Sequence, residues 1–127
     1  MDKTVKFTNF EMETIIQNID KYLDKADLIG YAVARNYRRL ADASLDYVKA
    51  KNKLLEDYGD EAKDDEGNPI GSYYITPANQ NYKLVKDKLD ELGQIKHEVV
   101  IFTISYEDVL NKLTGREIID LDWMLDD

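Results

Sequence analysis

The sequence predicts an α+β fold that is mainly helical, with a long helical hairpin, a small β-sheet and two short C-terminal helices. Three observations lead to this prediction. Apolar residues recur at intervals of three and four through most of the chain, which is typical of amphipathic helices. Residues 4–8 and 98–104 have the alternating or continuously apolar, β-branched character of strands. Thr114 and Glu117 have the spacing of a helix-capping box ahead of the last apolar run.

Length, composition and cysteine content restrict the class of protein. The chain has 127 residues and no long linker, so we predict a single domain over residues 1–127. No apolar run approaches the roughly 18 residues that a membrane span needs. Nothing near the start has the apolar segment of a signal peptide, so we expect a cytoplasmic protein with no membrane partner. The absence of cysteine excludes disulfides and thiol catalysis.

The first half of the chain predicts one strand and two helices. The strand at residues 4–8 is followed by a helix with Thr8 or Asn9 as its N-cap and Glu11 in its first turn. Residues 28–58 contain no proline, and their apolar stripe predicts one helix of about 45 Å at 1.5 Å per residue. Because that exceeds the diameter of a small globule, part of it is expected to pack on a partner element or a second chain. The sequence therefore predicts a homo-oligomer.

The middle of the chain predicts a loop, a short strand and a helix. Residues 60–71 are rich in Asp, Gly and Asn and predict a loop. Residues 73–75 are a candidate third strand of the small sheet. Thr76 and Pro77 predict a helix start, and the helical period continues to Gly93.

The last third of the chain predicts a strand and two short helices. The strand at residues 98–104 is partly apolar on both faces, so we expect it to be covered on both sides or to lie centrally in the sheet. The two helices are predicted at residues 106–113 and 115–125. Ser105 and Asp108 have the spacing of a capping box for the first of them.

Acidic charge is concentrated in the second half of the chain. The formal charge is −9, and residues 1–55 carry +2 while residues 56–127 carry −11. Nucleic acid and anionic membranes are disfavoured as ligands, because both require clustered Lys and Arg. The acidic half predicts either a surface that occupies a basic groove on another protein or one that only keeps the chain soluble. The candidate partner-binding residues are Asp60, Glu61, Asp64, Asp65 and Glu66.

One compact group of arginines stands out in this acidic protein. Arg35, Arg38 and Arg39 fall within about one turn of the predicted long helix, with Tyr31 one turn earlier. Guanidinium groups arranged in this way bind phosphate or carboxylate groups. The alternative is that they are solvated or pair with Asp42 and Asp46 at helical spacing. We take Tyr31, Arg35, Arg38 and Arg39 as candidate anion-binding residues.

No motif in the sequence predicts catalysis or a metal site. An EF-hand loop needs glycine at its sixth position, but counting from Asp60 or from Asp64 puts Asp65 or Pro69 there. The single histidine, His97, has no nucleophile motif to accompany it, and P-loop, dinucleotide and zinc-protease motifs are absent. We therefore predict that the chain is not an enzyme and takes no metal and no cofactor.

Several short motifs in this order resemble a family of small phage and prophage proteins of unknown function. The motifs are YAVARN at residues 31–36 with Leu40, KLLEDYG at 53–59, DEGNP at 65–69, EVVI at 98–101, LTGREII at 113–119 and WML at 123–125. The resemblance covers about residues 1–125 and does not extend to residues 73–75. It implies a phage origin and supplies no catalytic residues, because none are established for the family.

These features together predict a phage-encoded, non-catalytic binding protein that acts as an oligomer in the cytoplasm of an infected bacterium. By analogy with other phage accessory proteins, it is expected to inhibit a host protein, including a defence protein, by occupying its binding surface. Two alternatives stay open. One is a sponge that sequesters a nucleotide-like signal through the arginines and tyrosines. The other is a virion-assembly factor or chaperone whose long helix pairs with another phage protein.

Overall fold

The chain forms two compact units. A computed structural model describes residues 1–126. The first unit contains Met1–Ser44 and the chain from Lys96 onward, and the second contains residues 45–95. The α+β, mainly helical class is confirmed, whereas the single domain stays a prediction. Among residues 1–126 no helix is long and apolar enough to cross a membrane.

The described part of the chain contains six α-helices and six short strands. In chain order the elements are β1 (Asp2–Thr8), α1 (Asn9–Ile19), α2 (Leu28–Ala43), α3 (Leu45–Tyr58), β2 (Asp60–Lys63), β3 (Pro69–Tyr74), α4 (Tyr82–Gly93), β4 (Lys96–Phe102), β5 (Ile104–Ser105), α5 (Tyr106–Val109), α6 (Gly115–Leu121) and β6 (Leu125–Asp126). Strands β1 and β4 pair antiparallel, as do β2 and β3, while β5 and β6 pair parallel.

The core of the first unit lies between the helices and the sheet of β1 and β4. The predicted start of α1 is confirmed: Thr8 is the N-cap, and its hydroxyl and the Glu11 carboxylate form a capping box. The expectation that the 98–104 strand is covered on both sides is wrong, because β4 pairs with β1 alone among the described strands and Val100 is 45% exposed. The fully buried apolar side chains include Met12, Ile19, Ile29, Val33, Leu40, Ile101, Leu121 and Met124.

The two short C-terminal helices are confirmed, and both are shorter than predicted. The capping box of Thr114 and Glu117 forms at the start of α6. Ser105 precedes α5 but makes no side-chain cap hydrogen bond, so that predicted box is wrong. A 3₁₀ turn, Asp122–Met124, and strand β6 replace the predicted continuation to residue 125.

The predicted single long helix is wrong, because it is interrupted at Ser44. Helix α2 ends at Ala43 and α3 begins at Leu45. The Ser44 hydroxyl donates to the Leu40 carbonyl at 2.8 Å, and the Ser44 amide donates to the same oxygen. The amide bond is the ordinary helical one, whereas a side-chain hydroxyl that bonds to the carbonyl four residues earlier tends to bend a helix. The observation behind the predicted homo-oligomer is therefore absent, and the oligomer stays a prediction.

The second unit contains a β-hairpin where the sequence predicted a loop. β2 and β3 pair with Asp60 opposite Tyr74, and the register shifts between Glu61 and Lys63. The predicted strand near residue 73 therefore belongs to this hairpin and not to the sheet of β1 and β4. The predicted helix start at residues 76–77 is wrong as well. Asn79 makes a turn there, accepting from the Asn81 amide at 2.7 Å, and α4 begins only at Tyr82.

Two carboxylates make the stability of the first unit depend on pH. A hydrogen bond from the Thr114 amide lowers the pKa of Glu117 from 4.5. Hydrogen bonds from Lys21 and Tyr22 lower the pKa of Asp120 from 3.8. Because unfolding restores the higher values, the unfolded chain binds protons first as the pH falls. The stability that these groups add is complete above about pH 5.5 and is lost as the pH falls through their folded pKa values.

The melting temperature should therefore drop between pH 6 and pH 3. Part of that drop should come from the protonation of Glu117 and Asp120. In the double variant E117Q/D120N we expect a smaller drop than in the wild type, measured by circular dichroism at each pH. The single variant E107Q, at an exposed carboxylate, controls for general charge effects. Equal drops in the wild type and the double variant would contradict this assignment.

Candidate functional site

The structure brings the four predicted anion-binding residues to one cavity on α2. Tyr31, Arg35, Arg38, Arg39 and Asp42 line an open cavity of about 340 Å³. The α-helical repeat explains this placement, since residues three and four apart lie on the same face. The first and last of these residues are eleven apart in sequence, or about 16 Å along the helix axis.

Arg35 is held by two aromatic rings. Its Nη1 donates to the Tyr31 hydroxyl at 2.9 Å. Its guanidinium carbon lies 5.7 Å from the Tyr31 ring centroid and 5.0 Å from the Phe102 centroid. Those two rings meet edge to face at 5.7 Å. Sequence reasoning missed Phe102, which contacts Arg35 and Tyr31 from β4.

The other two arginines differ from each other in their contacts. Arg39 Nη1 donates to the Asp2 carboxylate at 3.1 Å and to the Val100 carbonyl at 3.0 Å, so it ties α2 to both strands of the sheet. The Arg38 side chain is exposed and has no hydrogen bond or ion pair within residues 1–126. The predicted alternative, in which the arginines pair with Asp42 and Asp46, is not observed in that range.

The five predicted partner-binding acids lie on the hairpin and are all exposed. Two of them also stabilise it. Asp64 Oδ1 accepts from the amides of Glu66 and Asn68, both at 2.9 Å. Asp60 Oδ1 accepts from Asn79 at 3.3 Å. Glu61, Asp65 and Glu66 make no side-chain contact of this kind within the described chain, so their carboxylates are open to a partner.

The hairpin also exposes apolar side chains that sequence reasoning did not select. Ile70 is 58% exposed, Tyr74 49% and Tyr73 37%. Beside them, a groove of about 340 Å³ separates β3 from α3. It is lined by Asn52, Leu55, Glu56, Gly71, Ser72 and Tyr73. Strand alternation does not mark these residues, because Tyr73 and Tyr74 are adjacent in β3 and all six residues of that strand are exposed.

The sequence also raised a metal site and His97 as features to examine. No group of three or more His, Asp or Glu side chains in the described part of the chain could hold a metal ion. His97 lies half-buried in β4, opposite Phe7 of β1. Its side chain has no hydrogen bond or ion pair to any residue from 1 to 126.

Comparison with protein-family models, with curated proteins and with solved structures gives no match. The likeness to small phage and prophage proteins therefore stays a prediction. The same holds for the predicted lack of enzymatic activity. The geometry of the hairpin and of the α2 cavity is the basis for a functional proposal.

Proposed function

We propose that this chain is a non-catalytic binding protein whose hairpin β2–β3 docks on a basic surface of another protein. The observation that carries the proposal is the composition of the hairpin surface. The exposed side chains of Ile70, Tyr73 and Tyr74 lie on the same hairpin as the exposed carboxylates of Glu61 and Glu66. Aromatic anchors next to charged groups are typical of protein interfaces.

The second unit buries little apolar surface of its own. Its buried large apolar side chains are Tyr47 and Val85, and its core includes none from the hairpin. All six residues of β3 are exposed. A two-stranded hairpin is marginally stable by itself in water, and neither strand pairs with a third among the described residues. A partner that covers β3 would bury its tyrosines and stabilise the hairpin.

The groove between α3 and β3 fits a long basic side chain. Leu55 and Tyr73 supply apolar walls for the methylene stem of a Lys or Arg. Glu56 lines the same groove and supplies a carboxylate for the cationic end. The groove therefore favours a partner that presents Lys or Arg, in agreement with the charge of the hairpin.

The charge around the hairpin is predominantly negative. Residues 56–66 contain seven carboxylates and one lysine. Such a surface steers a basic partner toward it and speeds association at low ionic strength. With the resemblance to phage proteins, this supports a host protein as the partner, inhibited because its basic surface is occupied. The virion-assembly alternative relied on a long uninterrupted helix, which α2 and α3 do not form.

Charge reversal on the hairpin should abolish partner binding. In the variant E61K/D65K/E66K, the three carboxylates without a hydrogen bond or ion pair in the described chain become cations. We expect at least a roughly tenfold loss of retained partner, because like charges then face each other. The wild type should lose the partner gradually as salt is raised, since exposed charge pairs are screened. Affinity capture from a bacterial lysate with quantification of the retained proteins measures both effects.

The control variant is E107K/D108K/D122K, which changes the net charge by the same amount at exposed carboxylates of the first unit. It should retain the partner as the wild type does. Circular dichroism of each variant shows whether it is folded. If the same proteins are retained by the folded hairpin variant, or if both charge variants lose them equally, the proposed docking surface is wrong.

A further inference from the structure

Arg35 presents unused hydrogen-bond donors from a fixed position. Its packing against the rings of Tyr31 and Phe102 limits the rotation of its guanidinium group. Apart from the bond to the Tyr31 hydroxyl, no group from residue 1 to 126 accepts a hydrogen bond from it, and its buried Nε has no partner. A guanidinium that is already ordered loses less entropy when it binds an oxyanion.

Arg38, which has no ion pair within residues 1–126, adds a second cation to the same cavity. Its side chain is exposed, and it lies one helical turn from Arg35. Arg39 lines the cavity too, although Asp2 and Val100 already accept from its Nη1. Two arginines with free donors on one face match the oxygens of a phosphate group, which accepts bidentate hydrogen bonds.

The rest of the cavity fits an organic group that carries the phosphate. Tyr31 is 53% exposed, so part of its ring is open to a planar ligand. Asp42 lines the cavity as well and can accept hydrogen bonds from hydroxyl or amino groups. The volume of about 340 Å³ falls within the range of about 300–1,000 Å³ that small-molecule sites occupy.

From this arrangement we propose that the α2 cavity binds a nucleotide. Arg35 and Arg38 hold its phosphate, the Tyr31 ring contacts its base, and Asp42 accepts from its hydroxyl or amino groups. A nucleic-acid polymer fits the chain less well than a mononucleotide, because the net charge of −9 repels an extended polyanion. The site is on the first unit and does not depend on the hairpin proposal.

Titration with AMP, followed by assigned amide NMR shifts, tests the proposal. AMP should shift the amides around Tyr31, Arg35 and Arg38, while adenosine and inorganic phosphate should each bind at least about tenfold more weakly, because each supplies only part of the contacts. The variant R38A should weaken AMP binding about tenfold through loss of a charge-assisted contact. R35Q, which keeps most of the side-chain stem, should weaken it further.

Lys112→Ala is the matched control, because it removes one exposed cation from the same unit and does not line the cavity. It should bind AMP within about twofold of the wild type, as expected for a surface change away from the site. The Arg38 side chain has no hydrogen bond or ion pair within residues 1–126 to lose, so R38A should remain folded and its result is interpretable. The proposal is overturned if AMP causes no saturable shifts, if R38A and the wild type bind equally, or if inorganic phosphate binds as tightly as AMP.

Discussion

Replacing Asn36 by leucine should lower the free energy of unfolding of the first unit by about 3 kcal/mol, one of the two largest effects that we expect. Asn36 is fully buried in α2. Its Nδ2 donates to the Phe102 carbonyl at 2.8 Å, and its Oδ1 accepts from the Phe102 amide at 2.6 Å. Leucine has a similar size but leaves both backbone groups without a partner, and each such group costs about 1–3 kcal/mol.

Urea unfolding followed by fluorescence measures this loss, because the single tryptophan, Trp123, packs against the core of the first unit. N36D keeps an acceptor and loses the donor, so it should also be destabilised. Asn18→Leu, at an exposed position of α1, is the control and should change the stability by less than about 1 kcal/mol. A loss below about 1 kcal/mol in N36L would contradict the role assigned to these hydrogen bonds.

Replacing Gly30 by alanine should destabilise the first unit by a similar amount, about 3 kcal/mol. Gly30 lies in the first turn of α2, where its amide donates to the N-cap residue Asp27 at 3.1 Å. A Cβ atom at this position would overlap the backbone carbonyl oxygen of Lys25. Backbone atoms cannot move aside as cheaply as a flexible side chain, so the start of α2 would have to shift.

Replacing Gly115 by alanine, at the start of α6, should not destabilise the first unit. Apart from its chain neighbours and the backbone of its own helix, no described residue places an atom within 4 Å of a Cβ added there. Alanine restricts the unfolded chain and favours helix, so G115A should be neutral or more stable by up to about 1 kcal/mol. The same urea experiment compares the two variants. Equal stabilities of G30A and G115A would show that the chain has room at Gly30.

Local signals in the sequence predicted the helix starts at Thr8 and Thr114 and missed the helix interruption at Ser44. The capping boxes at Thr8 and Thr114 depend on residues three apart, so the sequence contains all of the information. The interruption at Ser44 depends on a hydroxyl that bonds to Leu40, a choice that serine makes in some helices and not in others. A continuous apolar stripe does not reveal it.

The hairpin was missed for a different reason. β2 consists of Asp, Glu, Ala and Lys, which are residues that strands contain less often than average. The turn between the two strands stabilises the hairpin. In it, Asp64 accepts hydrogen bonds from two backbone amides, and Gly67 has φ of +84°. The sequence signals a turn there, but not that the polar residues on both sides pair as strands.

Of the candidate anion site, the sequence predicted only the residues that lie on α2. Tyr31, Arg35, Arg38 and Arg39 share α2, so helical spacing alone brought them together. Phe102 and the Asp2 carboxylate that binds Arg39 come from distant strands. Tertiary contacts of this kind have no signal in local sequence spacing.

Hydrogen exchange of the chain, with and without the partner retained in affinity capture, tests the central claim that the hairpin is the docking surface. Amides of β2 and β3 should exchange more slowly in the complex, because a docked protein shields strands that are exposed in the free chain. Amides of α5 and α6 should be unchanged. Protection on α2 or on the C-terminal helices, with the hairpin exchanging as fast as in the free chain, would contradict the account.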